Sequence, residues 1–383
     1  MIYTDEQGRR RQKSLGHKDA RKAERQKAQF ERELRMGAIG PGSMKLSEFT
    51  EDSLRRTGSQ IRQSTQKEYR SSMRDFIKVV GNIDYQKITI EHAECYRQAC
   101  LDRGNSPATV SKKLTEIKCV FETAVKRKQL DENPLKHIKK PSCPKGEIHR
   151  YSQKECERIV KAARDFTQES NPLTTLRWDL LIALDLSTAL RRGELLNLVW
   201  GDVDFEEQTV KVSPKLDTPE TWEWRIKDTD KRILPLTKEL IQLLADHQSR
   251  QPEGYPYVFV PPARYDWIQK RLRAKEKWTY SDSRLKVVNN FKKHFDLILA
   301  RARVERGTFH DVRRTAICNL FAEGISEYDV MKLAGHADFT TTHKFYLAIA
   351  DDILERARLA NTRGLCQNVL QICCNSRFGL KDD

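Results

Sequence analysis

What this chain of 383 residues lacks narrows it first. It has no apolar run that could cross a bilayer. The longest such stretch, near Leu180–Leu186, is interrupted by Asp185 and falls far short of the ~20 residues a spanning helix needs. The N-terminus is charged and carries no apolar signal core, so no membrane partner is expected and the expected compartment is the cytoplasm. Cysteine is scattered: nine residues, an odd number without a framework, fit reduced thiols better than a set of disulfides. Cys366, Cys373 and Cys374 cluster, but no matched Cys or His pair completes a zinc pattern, and no metal is expected. A Walker-type phosphate loop, a carboxylate metal cluster and internal repeats are also absent from the sequence.

Negative charge is in deficit. Lys and Arg number 70 against 54 for Asp and Glu, a formal charge of +16. Such an excess favours a polyanionic partner, most often nucleic acid. A hydrophobic content of 38% and a mean hydropathy of −0.71 fit a helix-rich protein with a well-charged surface.

Punctuation by glycine and proline divides the chain. Ile2–Thr4, a turn of Asp5-Glu6-Gln7-Gly8, and Arg9 onward read as strand, turn, strand, followed by a helix over 18–36. Residues 37–43 hold three glycines and a proline and read as a linker. A second unit over about 44–140 reads as a bundle of about four helices. Its clearest start is Ser106-Pro107, a cap followed by proline at the first helical position. Residues 139–146 hold two prolines and a glycine and read as a second linker. The rest is mostly helical, with three short strands expected at Thr209–Val212, Thr221–Ile226 and Arg232–Leu236.

Six polar residues stand in order across the second half. Arg191 begins a helix after an apolar one, and Glu194 lies three residues on, placed to orient its guanidinium. Lys227 falls in the turn between the second and third expected strands, with Lys231 as a rival. Thr308 and Asp311 read as a capping box, which puts His310 in a first helical turn and Arg313 on the same face. Free N–H groups and the dipole at such a start favour a phosphate. Ser326 caps a further helix that ends at Gly335, and His336 follows at once. Tyr346 comes last, beside Phe345 and Leu347. Taken singly, each has an ordinary structural reading: a surface ion pair, a solvated turn lysine, a core tyrosine.

Taken together, Leu190-Arg191-x-x-Glu194, Lys227, His310-x-x-Arg313, Gly335-His336 and Tyr346 resemble the signature of the tyrosine recombinases of the phage-integrase family. Ser106-Pro107-Ala108-Thr109-Val110 through Glu132-Asn133-Pro134-Leu135 resembles that family's core-binding helical domain. The resemblance implies a mainly α fold with a small antiparallel β-sheet in the catalytic domain, and two domains closing on DNA as a C-shaped clamp. It divides the chain into a partial arm-type segment with linker (1–43), a core-binding domain (44–141), a linker (142–146), a catalytic domain (147–362) and a tail (363–383). It further implies a site-specific recombinase that integrates or excises a mobile element. Tyr346 would form a 3′-phosphotyrosine, Arg191 and Arg313 would brace the phosphate, and Lys227 would be the general acid. His310 would move the tyrosine proton, His336 would hydrogen-bond the phosphate and Glu194 would support. Lys112, Lys113, Arg9, Arg10 and Arg11 are candidate DNA contacts. The implied partners are double-stranded DNA, three further copies in a synaptic tetramer, and an accessory DNA-bending or directionality protein, with no cofactor and a nucleoid-associated place in the cell. A catalytically silent DNA-binding relative and a topoisomerase-like nicking and closing enzyme are the alternatives.

Overall fold

The computed structural model describes residues 2–4, 10–12, 14, 19–35, 44–58, 61–143, 148–226, 231–274, 287–305 and 307–348. The chain forms two compact units, residues 1–145 and 146–383. Among the described residues no helix is long and apolar enough to cross a membrane.

In the first unit, β1 (Ile2–Thr4) pairs antiparallel with β2 (Arg10–Gln12), Ile2 opposite Gln12. Helix α1 (Ala20–Arg35) starts where Asp19 accepts the N–H groups of Arg21 and Lys22. Helices α2 (Leu46–Thr57), α3 (Gln63–Val80), α4 (Ile90–Asp102) and α5 (Pro107–Lys126) then share one core. The Ser106 hydroxyl accepts the Thr109 N–H, so α5 begins at the expected cap. Its buried stripe of Val110, Leu114, Ile117 and Phe121 recurs at helical spacing. Phe49 stacks on Tyr85 at 4.4 Å, and Phe76 meets Tyr96 edge-on at 5.2 Å.

The second unit is built around α7 (Trp178–Thr188), which is mostly apolar and presents no single polar face. Trp178, Leu180, Leu181, Ile182 and Leu184 are all buried, and a helix of that kind belongs in the middle of a core. Packed on it are α6 (Gln153–Glu169), α9 (Lys238–Ser249) and α12 (Phe309–Ala322). The remaining helices are α8 (Arg192–Leu196), α10 (Pro262–Arg273), α11 (Phe291–Arg301), α13 (Glu327–Ala334) and α14 (Phe339–Ala348). Trp178 gathers Phe291, Phe295 and Phe309 around it, tying α7, α11 and α12 into one aromatic cluster.

A three-stranded antiparallel sheet runs in the order β3 (Val203–Asp204), β4 (Thr209–Val212), β5 (Arg232–Pro235). This corrects one expectation. Thr221–Ile226 is not a strand of the sheet, and the third strand is Val203–Asp204 instead. The segment keeps a strand's alternation, with Trp222, Trp224 and Ile226 buried. It spends that alternation on packing: Trp222 stacks on Tyr257 at 4.1 Å, and its indole N–H donates to Asn197. Its backbone forms an isolated bridge between Trp224 and Lys215 rather than a ladder. The Lys215 ammonium is buried and paired with Asp202 at 2.8 Å, which fixes the root of this excursion.

Close packing also sets the approach to α12. Gly307 has φ +139°, and a Cβ there would collide with the Tyr151 ring and hydroxyl. That hydroxyl donates to the Thr308 carbonyl, and the ring is buried, so it has nowhere to go. Gly307→Ala is expected to cost about 3 kcal/mol through overpacking and backbone strain together. Urea or thermal unfolding checks this, and an unchanged midpoint would show that the ring can move aside.

Candidate active site

The site assembles where α7 gives way to α8. Ala189 ends α7 in the left-handed region, φ +50°, and the chain reverses. Arg191 then stands just ahead of α8. Glu194, in the first turn of α8, accepts the Arg191 N–H at 2.8 Å and its guanidinium at 3.2 Å. A second arginine reaches the same carboxylate. Arg232, opening β5, binds Glu194 in bidentate fashion at 2.6 and 3.1 Å. Burial alone would raise the Glu194 carboxyl, but Arg232 and then Arg191 outweigh it and hold its pKa below the usual value.

Helix α12 contributes the expected pair. Asp311 accepts the N–H and hydroxyl of Thr308 at 2.7 and 2.8 Å, so the helix starts where the capping box places it. His310 is exposed in the first turn, while Arg313 is buried at 2% exposure. The Arg313 guanidinium donates to the Ala189 carbonyl and, at 2.8 Å, to the Ala334 carbonyl.

Ala334 belongs to the end of α13, and it does not act alone. Three successive carbonyls there each accept from a different arginine. Leu333 takes Arg232 Nε at 2.9 Å, Ala334 takes Arg313 Nη2, and Gly335 takes Arg191 Nη2. Gly335 closes the helix at φ +66°, and a Cβ on it would meet the Arg232 guanidinium at 2.7 Å. His336 follows, with its N–H bonded to the Met331 carbonyl and its Nδ1 2.9 Å from Thr342 Oγ1 of α14.

These groups act on one another electrostatically. The His336 ring is pushed down to about 3, by desolvation first and then by Arg313, Arg191, Arg232 and His310. His310 is also lowered, by partial desolvation and then by Arg314, Arg313 and Arg191. Arg313 falls to about 10 through burial and the charge of Arg191. At neutral pH the cluster therefore holds three guanidinium ions, two neutral imidazoles and the Glu194 carboxylate. It has more positive charge than it neutralises, which makes it a receptor for an anion.

Beneath it lies Asp185, on α7. It is fully buried, and neither carboxylate oxygen has a hydrogen-bond partner among the described residues. Burial drives its pKa well above the usual range, Arg313 opposes that, and Glu194 adds to it. The group is held as a neutral acid.

Of the six ordered residues, the structure brings Arg191, His310, Arg313 and His336 together, with Glu194. Tyr346 is half-buried on α14, edge-on to Phe321 at 5.7 Å and stacked near His343 at 6.2 Å. Its hydroxyl makes no hydrogen bond among the described residues. Lys227 and Arg9 lie outside the described residues; Lys231 is exposed ahead of β5. Arg10 is exposed on β2, with Arg11 beside it. Lys112 pairs with Glu68 at 3.1 Å and Lys113 with Asp75 at 2.7 Å, so each would have to leave a carboxylate to meet a phosphate. Nothing in the sequence singles out Arg232, Asp185 or Thr342, whose importance comes from tertiary partners alone. Among the described residues, no group of three or more His, Cys, Asp or Glu is placed to hold a metal ion.

Residues 149–352 match the model of the phage integrase family, and residues 43–141 match that of the phage integrase N-terminal domain. A relative is the XerC-like tyrosine recombinase of Caldanaerobacter subterraneus subsp. tengcongensis, 26% identical over 293 residues, 70% of this chain and 68% of that protein. The fold is similar to a lambda integrase dimer bound to a COC' core site, with a TM-score of 0.57 at 17% identity, covering 90% of this chain and 91% of the other. It is also similar to the Tn1549 transposon integrase in complex with transposon right end DNA, with a TM-score of 0.61 at 18% identity, covering 83% and 100%.

The raised Asp185 pKa has a signed consequence. Its contribution to stability is complete below the unfolded value of about 3.9 and is lost as pH rises through the folded value. Asp185→Asn, neutral throughout, is expected to match the parent near pH 4 and to exceed its Tm by a margin that grows as pH rises toward 8. Thermal unfolding across that range checks it, and a pH-independent gap would show that Asp185 does not titrate there.

Proposed function

The chain belongs to the phage integrase family, and from that membership we propose that the arginine cluster, His310, His336, Lys227 and Tyr346 form one phosphoryl-transfer site. The enzyme is a tyrosine recombinase, which cleaves and rejoins DNA. The observation that carries the residue assignment is the surplus of positive charge where Arg191, Arg313 and His336 meet.

In this reading a backbone phosphate binds with its non-bridging oxygens on Arg191 and Arg313. As Tyr346 attacks, negative charge grows on those oxygens, and preorganised guanidinium groups stabilise it without reorganising. The phosphorus–tyrosine bond forms as the bond to the 5′ oxygen breaks. Lys227 gives the leaving oxygen its proton, and His310 assists removal of the tyrosine proton. His336, neutral because of its burial and its cationic neighbours, donates a hydrogen bond to the phosphate rather than a charge. Glu194 positions the two arginines that bind it and touches no substrate. The 3′-phosphotyrosine keeps the energy of the broken phosphodiester, so a 5′-hydroxyl can reverse the step and rejoin the strand.

Exchange between two duplexes needs four such sites, so the working form is a tetramer on double-stranded DNA. The lambda integrase fold also occurs as a tetramer bound to a Holliday junction. Integration or excision of a mobile element is the reaction that suits this assembly, with an accessory DNA-bending or directionality protein setting its direction.

Trapping the covalent complex tests the assignment. Nicked duplexes drawn from DNA flanking the gene should give an adduct on the 3′ side of the break in a denaturing gel. Tyr346→Phe should abolish it, and Arg191→Ala or Arg313→Ala should slow it by about 10²–10³-fold. An adduct that persists in Tyr346→Phe would move the nucleophile elsewhere. Firm DNA binding with no adduct from the parent would favour the silent relative, and supercoil relaxation without recombinants the nicking and closing enzyme.

A further inference from the structure

We propose that Thr342 is a positioning residue that sets the tautomer of His336, placing the ring proton on Nε2, where it can be donated to the phosphate. The proposal rests on the reading of His336 as a phosphate donor. Its first support is how Thr342 uses its hydroxyl. Threonines inside the helices of this chain ordinarily donate to the carbonyl four residues back, as Thr50, Thr115, Thr167, Thr188 and Thr315 do. Thr342 departs from that habit. Its Oγ1 lies 2.9 Å from His336 Nδ1, and that is the hydroxyl's partner among the described residues.

Burial decides the direction of the bond. Thr342 is fully buried. If Nδ1 carried the proton and donated to Oγ1, the threonine O–H would be a buried donor without an acceptor, which is costly. If Thr342 donates instead, Nδ1 is the bare nitrogen and Nε2 holds the proton, and both groups are satisfied. The ring has little freedom to choose otherwise. Its plane lies nearly parallel to Phe345, 15° apart at 5.9 Å, and its backbone is tied to Met331. Desolvation and the surrounding guanidinium groups keep the ring neutral in the free protein, so a single proton has to be assigned to one nitrogen.

The test is a nitrogen NMR spectrum of the full chain, labelled in histidine, at neutral pH without DNA. The parent and Thr342→Ser should show one His336 tautomer, with the proton on Nε2 and a hydrogen-bonded bare Nδ1. Thr342→Val, which keeps the shape and removes the hydroxyl, should show mixed tautomers. In cleavage assays Thr342→Val should lower the rate of adduct formation by about 10–100-fold at unchanged DNA affinity, in the manner of other orienting partners of histidine, and Thr342→Ser should restore it. A parent spectrum with the proton on Nδ1, or a Thr342→Val spectrum identical to the parent's, would overturn the proposal. Both outcomes are read in the folded protein alone. A parent that fails to cleave DNA therefore refutes the catalytic assignment while the spectrum still decides the role of Thr342.

Discussion

Three arginines in one place repel one another, and the second unit rests on how that repulsion is offset. The answer is the end of one short helix. The final carbonyls of an α-helix have no partner within it and form the negative end of its dipole. Here Leu333, Ala334 and Gly335 each give an orphan carbonyl to a different guanidinium. Glu194 supplies a full negative charge that touches the arginines directly, and it binds two of the three. The offset is incomplete: after burial, the charge of Arg191 is what lowers the pKa of Arg313 most. In the proposed function an incoming phosphate completes it, so the energy of assembling the cluster becomes affinity for an anion.

Two neutral groups keep that affinity from being spent internally. An ionised Asp185 beneath Arg313 would cancel part of the cluster's charge, and its burial without hydrogen bonds disfavours ionisation. A protonated His336 would add a fourth cation to a crowded site, and burial together with those cations disfavours it. The local dielectric and the arginines thus regulate one another. Each keeps the other's contribution directed at the open side of the site.

Much of this was legible in the sequence, and the reason is local. The starts of α5, α12 and α13 follow from caps that act within three residues, at Ser106, Thr308 and Ser326, and each is formed by the expected side chain. Once those helices are placed, His310, Arg313 and His336 follow. The strand expected at Thr221–Ile226 failed because alternation reports which side chains are buried and not what the backbone pairs with. Arg232 looks no different from Lys231 in sequence; only the reach to Glu194 and Leu333 separates them. Thr342 and Asp185 could not be read for the same reason, since a threonine's partner and a carboxyl's solvation are set by what folds over them. Lys112 and Lys113 show the converse. Their basic spacing was visible, and their carboxylate partners, 44 and 38 residues away, were not.

The clamp at the end of α13 also says how this region can change over generations. Any amino acid supplies a backbone carbonyl, so the side chains of Leu333 and Ala334 can drift without depriving an arginine of its acceptor. Length has no such latitude. One inserted residue would turn the helix end by about 100° and advance it by about 1.5 Å, presenting three carbonyls in the wrong directions at once. The site is therefore indifferent to much of the spelling of α13 and intolerant of any shift in its reading frame along the helix. Related chains are best compared here by the count of residues between Ser326 and His336, and only then by their identities.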